Sequence, residues 1–197
     1  MTLTREERML SLAAMSILHG LKTRRNISLE DIKFDNELRA PGACFVTLEH
    51  RGQLRGCIGS AEAYRSLGED LLRNAFSAAF NDMRFPRLVE KELEDLEMEL
   101  SILTHPKPII APNEEHLLSL LRPGRDGLII EDKGAKALFL PSVWDSLPSP
   151  RDFLDNLKRK AGIGHRSLTS GFAAWRFETE KIRSSETLES KSLWEMD

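Results

Sequence analysis

The stretch Leu54-Arg55-Gly56-Cys57-Ile58-Gly59-Ser60 carries the residue types best suited to chemistry. It sets a thiol between two glycines, with a guanidinium two residues earlier. Alternation along a strand puts Arg55 and Cys57 on one face and Leu54 and Ile58 on the other. A cation beside a thiol favours the thiolate, the form that acts as a nucleophile. Cys57 is therefore a candidate catalytic residue, as nucleophile or ligand contact, with Arg55 as its activator or anion binder. Gly56 and Gly59 weaken a strand unless backbone must come close to something. Both, together with Ser60, are candidate ligand contacts. Arg84, displayed by Met83-Arg84-Phe85-Pro86, is a further candidate anion contact, because a guanidinium grips carboxylate or phosphate through paired hydrogen bonds. The same residue types also admit structural roles. Cys57 can fill an apolar space, Arg55 can pair with a distant carboxylate, and Arg84 can tie its loop to a helix end.

Other chemistries have less support. His19, His50, His105, His116 and His165 form no close pair, and neither Cys44 nor Cys57 belongs to a CxxC. No metal site or cofactor is expected from such spacing. Whether the fold brings His105 or His165 to Cys57 stays open at this level. No phosphate-cradling glycine loop and no G-x-S-x-G pattern occurs, which argues against nucleotide hydrolysis and serine-hydrolase chemistry. A net charge of −3 argues against a nucleic-acid partner, despite the basic clusters at residues 22–25 and 158–160. No apolar run is long enough for a bilayer, and acidic residues stand where a signal peptide needs an apolar core. Two cysteines make no disulfide framework. A cytoplasmic protein without membrane contact is the expectation.

The elements that must position these residues follow from capping and periodicity. Thr4 and Glu7 have capping-box spacing, and Met9, Leu10, Ala13, Ala14, Ile17 and Leu18 recur at helical intervals, predicting a helix over 4–19 stopped by Gly20. Residues 21–41 read as a polar wrap. A hairpin follows, 43–49 against 54–59 with the turn at 50–53, in a register that sets Cys44 opposite Gly59. Ser66 and Glu69 open a helix with the apolar face Leu71, Leu72, Ala75, Phe76, Ala79 and Phe80, ending near Asn81. Alternation predicts a strand over 96–104, ended by His105-Pro106-Lys107-Pro108. A short helix over 114–121 precedes a second hairpin around Asp132-Lys133-Gly134. Ser149-Pro150 opens another helix, in whose last turn Lys158, Arg159 and Lys160 form a solvated end. A final strand over 172–182 precedes a polar tail, 184–197. Strands and helices mixed with two hairpins imply an α+β fold, a mainly antiparallel sheet flanked by helices.

Leu54-Arg55-Gly56-Cys57-Ile58-Gly59, Ala78 to Pro86, Glu99 to Leu103, Phe139 to Trp144, Phe153-Leu154 and Lys160-Ala161-Gly162 together resemble the AMMECR family. The likeness runs in order over nearly the whole chain, and its prokaryotic members are the AmmeMemoRadiSam system protein A group. It implies an α+β domain over 1–197 with a larger and a smaller lobe, and singles out Cys57 as the family's motif cysteine. It also implies a Memo-like protein and a radical SAM protein as partners. It names no reaction. The chain departs from the family pattern at Ser60-Ala61, in place of threonine and an aromatic, and at Met83 and Arg87, in place of proline. Two functions follow as expectations. One is a Cys57-dependent enzyme or enzyme component acting with those partners. The other is a non-catalytic interaction module in which Arg55 to Gly59 are structural.

Overall fold

A computed structural model describes residues 3–30, 32–164, 169, 171–187 and 193–194. The chain divides into two compact units, Met1–Ile102 with Glu180–Asp197, and Leu103–Thr179. Each has an antiparallel four-stranded sheet and its own apolar core, which makes the fold α+β.

In the first unit, α1 (Arg5–Thr23) starts at the Thr4–Glu7 capping box. It does not stop at Gly20. That glycine lies inside the helix because a Cβ there would sit 2.3 Å from the Phe80 ring. The helix ends one turn later on Arg24, in the left-handed region at φ 59°. The segment after it is less of a polar wrap than its composition suggests: Ile27, Ile32 and Phe34 pack on the core, and α2 (Asn36–Arg39) buries Leu38. Strands β1 (Cys44–His50) and β2 (Gln53–Gly59) form the hairpin, turning through Arg51 and Gly52, both at positive φ. α3 (Leu67–Phe80) is capped by Ser66 and packs its apolar face under the hairpin. A 3₁₀ segment, Glu90–Asp95, leads into β3 (Leu96–Leu103).

In the second unit, β4 (Lys107–Ile109) lies where a strand end was expected. As an outer strand it tolerates Pro108, which cannot donate to a ladder. α4 (Glu114–Leu120), β5 (Gly127–Asp132), β6 (Ala135–Phe139) and α5 (Pro150–Lys160) fall close to the expected spans. The expected solvated end of α5 is solvated only in part. Lys158 is buried, with Nζ 3.0 Å from Glu114. The single strand expected over 172–182 is two, β7 (Ala173–Phe177) and β8 (Thr179–Arg183), broken at Glu178, whose amide donates to Thr104. They belong to different sheets, ordered β4-β7-β5-β6 and β2-β1-β3-β8. Beyond β8, a helical turn, α6 (Ser184–Thr187), buries Ser184, and Leu193 is buried in the first core.

Candidate functional site

The hairpin register decides where the motif side chains go. His50 pairs with Gln53 and Glu49 with Leu54, but Leu48 pairs with Gly56. Arg55 is the extra residue of a β-bulge, which breaks the alternation. From there on the register is one residue off the expected one: Cys57 stands opposite Thr47 and Gly59 opposite Phe45. Arg55 and Cys57 consequently do not share a face. Ile58 packs toward the core while Leu54 is exposed, so these two are parted as well. Cys44 follows the buried face with Val46 and Leu48, and the two cysteines are both free thiols.

Arg55 is buried against the 3₁₀ segment. Its Nε and Nη2 donate to the two carboxylate oxygens of Glu92 at 2.7 and 3.0 Å. Glu92 also accepts the Val89 amide at 3.0 Å. The hydrogen bonds from Arg55 hold the Glu92 carboxyl below its ordinary value, against its own burial. Gly56 lies against the end of α3, where a Cβ would sit 2.1 Å from the Ala78 carbonyl oxygen. A Cβ on Gly59 would meet the Phe45 ring at 2.2 Å. Both glycines thus answer to the protein's own packing.

β2 is an outer strand, so its outward amides and carbonyls need other partners. The Cys57 amide donates to Asp82 at 2.9 Å, and Arg84 Nη2 donates to the Cys57 carbonyl at 3.2 Å. Asp82 and Arg84 are themselves paired, at 3.0 and 2.7 Å. The Arg84 hydrogen bonds hold the Asp82 carboxyl well below the usual carboxylate range. Arg84 therefore ties its loop to the strand edge rather than to a helix end, with over half of its side chain still exposed. Ser60 is buried, its hydroxyl 2.5 Å from Asp70. Asp70 also accepts from the Cys44 amide, Arg65 and Asn74. Burial pushes the Cys44 thiol well above its ordinary value.

What remains on the opposite sheet face is a row. Cys57, Thr47 and Glu99 are direct neighbours across β2, β1 and β3. Thr47 Oγ1 donates to the Cys57 sulfur at 3.3 Å. Lys181 and Arg183 of β8 reach Glu99 at 3.2 and 2.7 Å. Burial raises the Glu99 carboxyl, but these cations more than offset it and leave it below its ordinary value. Among the described residues the Thr47 hydroxyl is the thiol's one hydrogen-bonding side chain, and no metal-binding set occurs. His105 belongs to the other unit, and His165 lies outside the described residues.

Similarity to known proteins gives the family and the fold. The AMMECR1 family model matches residues 10–182. The chain belongs to the AMMECR1 family. A relative from Methanothermobacter thermautotrophicus is 39% identical over 160 residues, covering 79% of this chain and 81% of that one. One from Methanopyrus kandleri is 33% identical over 171 residues, 83% of this chain and 80% of the other. The crystal structure of an uncharacterized protein from Pyrococcus horikoshii superposes with a TM-score of 0.76 at 32% identity, covering 89% of both chains.

Sequence reasoning missed Glu92, Asp82, Asp70 and Glu99. For Asp70 and Asp82 a signal existed: carboxylates beginning and following a helix predicted to pack on the hairpin. Glu92 sits in a run of acidic residues that looks like solvated surface, and Glu99 in an ordinary strand alternation.

Proposed function

We propose that this AMMECR1-family chain is a non-catalytic binding component, in which Arg55 to Gly59 frame the sheet edge and present the Cys57–Thr47–Glu99 row to a partner. The observation that carries the reading is the buried Arg55–Glu92 pair. A buried guanidinium, charge-paired with both carboxylate oxygens of Glu92 and carried to the far side of a bulge, is directed away from the thiol and already neutralised by its own partner. The partners we propose are the Memo-like and radical SAM proteins that the family resemblance implies, and the compartment is the cytoplasm, where free thiols stay reduced. No helix among the described residues is long and apolar enough to cross a membrane.

The test is direct binding of the two purified partners to the wild type, Thr47→Arg and Cys57→Ser. An arginine in the row blocks the face without touching the core, so partner affinity should fall by about tenfold or more. Cys57→Ser should keep affinity and function in cells lacking the wild-type protein. No binding by either partner, or loss of function in Cys57→Ser with binding intact, would overturn the proposal. The second outcome is what a thiol reaction on this face requires. That alternative is favoured by one observation: Cys57 is a free cysteine that is only half-buried.

A further inference from the structure

Beside the C-terminal turn of α1 lies a cavity of about 490 Å³, within the usual size of small-ligand pockets. Its walls are apolar at Leu21, Phe80 and Leu88, and Lys22, Arg24 and Arg87 also line it. We infer that this cavity binds a small organic anion, with an apolar body against the wall and a carboxylate or phosphate at the three cations.

Charge complementarity carries the inference. Most arginines of the first unit are matched: Arg5, Arg8, Arg51, Arg55, Arg65, Arg73 and Arg84 each face a carboxylate. Lys22, Arg24 and Arg87 have no carboxylate partner among the described residues, and unlike Arg25 and Arg39, which share that condition, they line one cavity. The negative end of α1 accounts for Lys22 and Arg24, which sit where a helix dipole favours cations. It does not account for Arg87, which comes from the loop after α3 and holds its guanidinium 5.8 Å from the Phe80 ring centroid. Three like charges around one cavity give it a positive potential that an anion would meet favourably. One carboxylate, Glu90, also lines the cavity, leaving cations in excess. The walls select an apolar body, since a bare ion would leave Leu21 and Val89 facing water.

Calorimetric titration of the full chain with octanoate, octyl phosphate, octanol and octylammonium tests this. The two anions should saturate a single site, and whichever is tighter identifies the headgroup. Octanol and octylammonium should bind at least about tenfold more weakly, the worth of one good charge-assisted contact. Arg24→Glu and Arg87→Glu should each weaken the anions by a similar factor, while Arg87→Lys keeps most of the affinity. All the altered side chains are exposed, and Arg24→Gln with Arg87→Gln serves if a charge reversal fails to fold. Absence of saturable anion binding, equal binding of octanol, or unchanged affinity in folded Arg24 and Arg87 variants would overturn the inference. None of these outcomes bears on the Cys57 row.

Discussion

Arg55 shows what a buried ion pair does at a strand edge. Its guanidinium links β2 to the 3₁₀ segment, and that segment's Glu92 is held in turn by the Val89 amide. Removing the cation leaves a partly buried carboxylate alone, so Arg55→Met should cost about 3 kcal/mol of stability in urea unfolding. Gly56 makes the same point through space. A methyl there meets the backbone carbonyl of Ala78, which cannot swing away as a side chain would. Gly56→Ala should therefore destabilise by about 1–3 kcal/mol. That Arg55 and Gly56 mattered was legible in the sequence. Their purpose was not, because Glu92 and Ala78 are distant in the chain and a β-bulge leaves no mark in the order of residue types.

Among the elements, α3 is the clamp. Asp70 in its first turn accepts the Cys44 amide, and Asp82 just beyond its end accepts the Cys57 amide. The helix fixes both strands of the hairpin through one carboxylate each, besides the apolar face it buries against them. A carboxyl whose folded pKa lies below its unfolded value stabilises the fold fully above the unfolded value, and that stabilisation is lost as pH falls through the folded one. For Glu92 the loss begins as pH drops below 4.5, and for Asp82 below 3.8. Asp82→Asn should be less stable than wild type near neutral pH, and the gap should narrow in acid as the wild-type carboxyl is protonated. Urea midpoints measured down the acid range check this. A gap that stays constant with pH would show that Asp82 acts by shape and not by charge. Helix caps were the most legible part of the chain, since Thr4, Ser66 and Ser149 accept the amides their spacing predicts. Gly20 was not, because its closeness to Phe76 and Phe80 looks in one dimension like a helix stop.

At the scale of the molecule, the two units have separate cores. The second is built on Trp144 stacked flat on Phe153, with ring centroids 3.8 Å apart, and on Leu154 and Leu157 of α5. Leu157→Ala should open a cavity costing about 2–5 kcal/mol, read as lost hydrogen-exchange protection in Gly127–Asp132 and Ala173–Phe177. Alternation alone does not reveal that residues 173–183 serve two sheets, since both strands carry the same period. If Arg55 frames the sheet and does not activate the thiol, Cys57 chemistry must be indifferent to its loss. The decisive measurement is the alkylation rate of Cys57 from about pH 5 to about pH 10 in the folded wild type and Arg55→Met. Cys44 stays silent, since it is buried and its thiol is pushed up by that burial. The same pH profile in both proteins is the predicted result; a profile displaced to higher pH in Arg55→Met would contradict it.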